Sequence, residues 1–304
     1  MSQPKVPPLP LPRSNQAYCD VSALVGGLLV LPEHVAVSTA KKGETHIMPS
    51  LAFLITHATT RKRMLLDLGM RRDLENAEVI MAQRFSDVFH STVPTDVPFS
   101  LEKGGLTPED ITLVCLTHCH WDHVGNPALY PSARFLVGGE ARSLFQPGYP
   151  TDPKSVFPTD LLPEGRTDFL DVSDETWKPI GPFPHALDYF DDGSLYIVDA
   201  PGHLPGHLNI LVRTSPDGGW ACLAGDSAHD WRLIRGQGEI AERHNAVRGH
   251  ICMHRDKEQA AKHIRRIADV LTLPRVRVIL AHDNEWYDAN KGGDAFWPGK
   301  IKSL

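Results

Sequence analysis

The sequence predicts an α/β fold that gathers metal chemistry at one end of its strands, and two observations carry that prediction. Four apolar runs, Ile111 to Thr117, Leu195 to Val198, Trp220 to Leu223 and Val276 to Leu280, each precede a loop rich in histidine or aspartate. Those loops are His118-Cys119-His120-Trp121-Asp122-His123, Pro201-Gly202-His203-Leu204-Pro205-Gly206-His207, Ala224-Gly225-Asp226-Ser227 and Leu280-Ala281-His282-Asp283. Short apolar runs bounded by turn residues read as buried strands, and α/β folds place ligand chemistry beyond the carboxyl ends of strands. The second observation is an amphipathic helix over Asp256 to Leu271. Asp256 and Gln259 resemble a capping box, and Ala260, Ile264, Ile267 and Leu271 repeat at helical spacing.

The other elements follow in order. Met1 to Asn15 holds five prolines and no apolar core, which predicts an extended arm (residues 1–20) on the surface or across a homodimer partner. A single large domain follows over 21–304. Val21 to Pro32, His34 to Ser38, Ser50 to Thr56 and Arg63 to Leu68 read as strands, and Asp73 to Arg84 as a helix. Thr107-Pro108-Glu109-Asp110 reads as a helix start, with a capping threonine and proline at the first helical position. Arg134 to Val137 reads as a strand and Glu140 to Phe145 as a helix. Residues 146–184 are proline-rich without periodicity, yet carry Tyr149, Phe157, Leu161, Leu162 and Trp177. A long apolar loop of this kind predicts a flap over the metal cleft. A hairpin through Tyr189 to Val198 turns at Asp192-Gly193, and Asn209 to Arg213 pairs with Trp220 to Leu223. His263 is placed on the exposed face of the late helix.

Composition bounds the function. The chain has 304 residues, 41% of them hydrophobic, enough for one large core, and a net charge of −6. No basic footprint argues for nucleic acid, and no stretch of eighteen apolar residues argues for a membrane. The five cysteines are irregularly spaced with no CxxC pair, which predicts free thiols in a reducing cytoplasm. Cys119 lies inside the histidine motif, but strand-end alternation turns it away from His118 and His120 as a buried neutral thiol.

His118 to His123 is the most informative stretch. Three imidazoles and a carboxylate within six residues suit a first-row transition metal. His118 and His120 share one face of extended backbone, while Asp122 and His123 begin the next turn and aim toward a second ion.

These motifs, in this order, are identified as those of the metallo-β-lactamase fold superfamily. Met64-Leu65-Leu66-Asp67-Leu68-Gly69 resembles that family's strand ending in D-x-G, and Gly105 to Asp110 matches the segment before the metal motif. The resemblance spans residues 50 to 285 and is strongest to the lactonase branch, which includes acyl-homoserine lactonases and fungal lactone and lactam hydrolases. It implies an αββα sandwich of two mixed β-sheets flanked by helices. It also implies two zinc ions per chain, with manganese, cobalt or iron as alternatives. The family pattern places His118, His120 and His207 at the first metal, Asp122, His123 and His282 at the second, and Asp226 between them. His203 is expected beside the site, and Asp67 is expected to orient a ligand imidazole or to cap its own turn.

The implied activity opens a cyclic ester or amide with hydroxide shared by the two ions, Asp122 passing a proton to the leaving group. The lactonases carry a tyrosine three residues after the bridging aspartate; here that position is His229, which can donate a hydrogen bond to a carbonyl or protonate a leaving group. Phe145, Tyr149, Trp231 and Trp286 are candidates for an apolar wall that suits a lactone or lactam. A glyoxalase II-like thioesterase shares the ligands but usually adds a helical domain, for which the residues after His282 leave little room. A non-heme iron oxidoreductase of the same fold, or a scaffold that has shed its ligands, completes the alternatives.

Overall fold

The computed structural model describes residues 6–73, 90–245 and 249–304. β1 (Cys19–Pro32), β2 (Thr45–His57), β3 (Arg63–Leu66), β4 (Leu113–Cys115), β5 (Arg134–Gly138) and β6 (Thr167–Leu170) form one sheet in that spatial order. It is antiparallel up to β3 and parallel from β3 to β6. The second sheet contains β7 (Lys178–Ile180), β8 (Phe183–Asp188), β9 (Leu195–Asp199), β10 (Leu208–Arg213) and β11 (Trp220–Leu223). After a separate ribbon of β12 (Arg243–Asn245) and β13 (Gly249–Ile251), β14 (Val276–Ile279) completes it. Its order is β14-β11-β10-β9-β8-β7, with only the β11–β14 pair parallel.

Three apolar layers hold these sheets together. Val21, Phe53, Met64 and Leu66 meet Ile197, Ile210, Val212 and Leu223 between the sheets. α1 (Val97–Glu102), the turns around Tyr130 and Leu144, and Phe157 cover the outer face of the first sheet. α4 (Lys257–Leu271) covers the second through Ala260, Ile264, Ile267 and Val270; α2 (Trp121–Val124), α3 (Trp231–Ile234) and α5 (Asn284–Asn290) are short helices at strand ends. The layers are therefore helix, sheet, sheet, helix, as the sequence predicts.

Several local expectations are corrected. His34 to Ser38 is not a strand: Pro32 ends the ladder and Glu33–Val35 forms a 3₁₀ turn. Thr107 caps only the 3₁₀ turn Pro108–Asp110, where the Asp110 carboxylate accepts the Thr107 N–H at 2.8 Å, and the chain is extended again at Ile111. The helix expected over Glu140 to Phe145 is a 3₁₀ helix, Gly139–Phe145. The expected flap region is shorter than 146–184, because β6 and β7 occupy its second half as edge strands. The expected helix from Asp73 falls on residues 74–89, outside the described ones.

His263 is buried rather than exposed; its Nε2 lies 2.7 Å from Asn209 Oδ1 on β10, so the amide partners one nitrogen of an imidazole on the core face while Nδ1 is buried without a partner. Leu271 is exposed and Val270 takes the core position. From Val6 onward the N-terminal arm lies on its own domain, with Leu9 buried and the Pro10 carbonyl accepting from the Arg213 guanidinium at 2.7 Å. All five cysteines are free. No helix among the described residues is long and apolar enough to cross a membrane.

Candidate metal centre

The sandwich brings its histidine loops to one edge because β3, β4, β11 and β14 all end there. Asp67 follows β3 with φ +60°, and its carboxylate accepts from the Thr117 N–H and hydroxyl, both at 2.7 Å. That tie fixes the start of the His118 to His123 loop. α2 then turns Asp122 and His123 inward, and His123 Nδ1 meets Asp67 Oδ2 at 2.8 Å. Gly225 leads into Asp226 with φ +50°, and a Cβ there would lie 2.9 Å from His207 Nε2. Glycine therefore lets the loop after β11 pass close beneath His207.

The side chains converge on Asp226. Its Oδ2 lies 3.0 Å from His229 Nε2, 3.4 Å from His203 Nε2 and 3.8 Å from His118 Nε2. Its Oδ1 lies 3.3 Å from both His123 Nε2 and His282 Nε2. Asp122 Oδ2 stands 3.2 Å from His282 Nε2 and 3.7 Å from His123 Nε2. Thus one carboxylate faces two clusters: His118, His120 and His203 on one side, and Asp122, His123 and His282 on the other.

Electrostatics follow from burial and this shared carboxylate. Burial pushes His118 and His203 well below the ordinary imidazole range, despite Asp226, and brings His120 down to about 4. On the other side burial is outweighed: Asp226 and Asp122 push His282 up to about 10 and hold His123 well above its usual value. Burial would raise Asp226, but His282, His123 and His229 pull it well below the usual carboxylate range. His123 Nε2 and Asp226 Oδ1 are buried without a hydrogen-bond partner. Unpartnered buried donors of this chemistry, gathered around a carboxylate, fit divalent transition-metal ions.

The sequence reading is corrected at one ligand. His207 stands outside both clusters, because its Nε2 accepts the Asp226 N–H at 3.0 Å and its Nδ1 meets the Ala200 carbonyl at 3.1 Å. His203 takes the place expected of His207, with its Nε2 3.0 Å from His120 Nδ1. The structure brings His118, His120, Asp122, His123, Asp226 and His282 together. His229 sits against Asp226, and its Nδ1 is buried and unpartnered. His254 is a residue the sequence reading missed; it is buried beside His203 and His229. Its signal was an imidazole two residues before the cap of α4, in the same kind of strand-to-helix loop as the others.

The pocket candidates divide. Phe157 is buried, its ring parallel to that of His120 with centroids 6.4 Å apart, and it meets Phe145 edge-on. Trp286 instead packs, partly buried, on Phe296 against the core, and the Trp231 indole N–H donates to Asp283 at 2.9 Å. Cys119 is buried in the outer core layer, where burial pushes its thiol up to about 12.

The family model of the metallo-beta-lactamase superfamily matches residues 47–282. The chain belongs to this superfamily. It is 32% identical over 276 residues to cytochrome P450 monooxygenase mpaDE' of Penicillium brevicompactum, covering 83% of this chain and 31% of that protein. It is 32% identical over 240 residues to gamma-lactamase FDB1 of Fusarium pseudograminearum, covering 75% and 58%. The chain thus spans less than two thirds of the length of these relatives. In three dimensions it is similar to a crystal structure of Bacillus thuringiensis AiiA with N-decanoyl-L-homoserine bound at the active site. The TM-score is 0.68 at 18% identity, over 93% of this chain and 98% of that one. Two six-stranded mixed sheets between helices are the superfamily's sandwich.

Proposed function

We propose that this chain is a dinuclear-metal hydrolase that opens a cyclic ester or cyclic amide. The observation that carries the reading is Asp226, whose two oxygens face two separate histidine clusters. His118, His120, His203 and Asp226 would hold one ion, and Asp122, His123, His282 and Asp226 the other. Zinc suits these imidazole and carboxylate donors, as do manganese, cobalt and iron. Such a pair lowers the pKa of a water toward neutrality and polarises a carbonyl.

The remaining work falls to the chain's own groups. Asp67 fixes the His123 ring by taking its Nδ1–H, which directs Nε2 at Asp226. Asp122 is placed to move a proton to the departing oxygen or nitrogen, a contribution of roughly 10²–10⁴-fold for a positioned carboxylate. This matters more for an amide, whose nitrogen leaves poorly as an anion. With Nε2 turned to Asp226, His229 has Nδ1 left to hold a substrate group. Phe157 and Phe145 give the cleft an apolar wall beside His120, and a flap built on the loop before β6 would close over the ring of a small lactone or lactam. Similarity to proteins named gamma-lactamase and N-acyl homoserine lactonase supports the same substrate class.

The test is a hydrolysis screen of metal-analysed protein against simple lactones, acyl-homoserine lactones, benzoxazolinone-type lactams, β-lactams and glutathione thioesters. Cyclic esters or amides outside the β-lactams are expected to turn over fastest. Preference for an open-chain thioester would overturn the reading.

A further inference from the structure

His203, His229 and His254 form a compact triangle beside Asp226, and the His229 ring also stacks on that of His282 with centroids 5.9 Å apart. Their ring centroids are 5.0 Å apart for His203–His229, 5.2 Å for His203–His254 and 5.3 Å for His229–His254. Each offers one ligating nitrogen within 4.8 Å of the other two, and all three residues are buried. The Nδ1 atoms of all three are buried without a hydrogen-bond partner. Two other buried histidines satisfy both nitrogens: His207 does so through Asp226 and Ala200, and His57 through Asp192 and the N–H groups of Thr59 and Thr60. His263 also leaves Nδ1 unpartnered, but it belongs to none of the clusters of potential ligands among the described residues. Three adjacent imidazoles with orphaned nitrogens need another partner.

We propose that His203, His229 and His254 form an auxiliary site for one divalent transition-metal ion, alternative to the set His118, His120, His203 and Asp226. Three neutral imidazoles with an open fourth position suit zinc, cobalt, nickel or copper rather than calcium or magnesium. The two sets exclude each other for two reasons. Both need His203, and the triangle has no carboxylate of its own to offset a second positive ion alongside the first. An ion held here is therefore a neighbour of its final seat, one ligand exchange away. His254 belongs to no other cluster among the described residues, so it reports on this site alone.

Cobalt binding tests it without turnover, so the result is separate from the substrate reading. The His118→Ala/His120→Ala protein, checked for folding by circular dichroism, is titrated with Co²⁺ by equilibrium dialysis and visible absorption. It is expected to bind about two equivalents, one in the triangle and one with Asp122, His123 and His282, and adding His254→Phe should reduce this to about one. A single equivalent in the double variant, or two regardless of His254, overturns the proposal. Exchange of Co²⁺ into zinc-loaded wild-type protein gives a second readout that leaves the first set intact. His254→Phe should slow it about tenfold, in the range that loss of a supporting ligand produces; an unchanged rate also overturns it.

Discussion

Replacing Asp67 by Asn changes one atom and separates two roles for that carboxylate. Asp67 Oδ1 accepts from the Thr117 N–H at 2.7 Å, while Oδ2 accepts from the Thr117 hydroxyl at 2.7 Å and faces His123 Nδ1 at 2.8 Å. An asparagine in the same pose keeps the first bond but turns an NH₂ toward His123. Two donors then meet unless the imidazole moves its proton to Nε2, the atom that faces Asp226 Oδ1 at 3.3 Å. A protonated Nε2 has no lone pair for a metal. One charge-assisted bond is at stake, about 1.5–3 kcal/mol, which agrees with the roughly 10–100-fold loss of affinity when a ligand's supporting group is removed. Competition of the zinc-loaded protein against a chelator measures this directly. One of the ions should be lost at a chelator concentration lower by that factor, while the metal-free protein melts almost unchanged. Unaltered zinc retention together with a lowered melting temperature would refute the reasoning and leave Asp67 as a tie for its turn.

Three further outcomes follow, two at the metal centre and one at Asp192. His203→Gln should remove one metal equivalent and most hydrolysis. His207→Gln should keep the metal and cost about 1–3 kcal/mol in denaturant unfolding, through loss of the bonds to the Asp226 N–H and the Ala200 carbonyl; elemental analysis of the two variants checks the contrast. Burial pushes Asp192 up, but hydrogen bonds from Ser194 and His57 outweigh it and hold the carboxyl below its usual range. A depressed folded pKa gives stability that is present above the unfolded value of about 3.9 and lost as pH falls through the folded one. Asp192→Asn should therefore flatten the acid limb of the stability curve below that pH, read from urea midpoints, and leave the neutral region parallel to wild type.

Much of the site was legible in the sequence because its ligands sit beside the strands that carry them. Val114 and Cys115 announce His118, and Cys222 and Leu223 announce Asp226, through apolar runs that need no tertiary knowledge. The choice between His203 and His207 was not legible. Both lie in the repeated Pro-Gly-His pattern, and only the approach of the Asp226 N–H to His207 removes that ring from the cluster. His254 and His263 were missed for a related reason: their partners, His229 and Asn209, are distant in sequence. An imidazole on a helix counts as polar until a buried amide faces it. β6 and β7 escaped notice because edge strands of three or four residues show neither full burial nor clean alternation.

The paired metal centre is tested most directly by anomalous diffraction at the zinc edge from crystals of the zinc-loaded protein. Two peaks are expected on either side of Asp226, one bounded by His118, His120 and His203 and the other by Asp122, His123 and His282. A map with no peak between these residues, or with zinc bound only at other side chains, would contradict it.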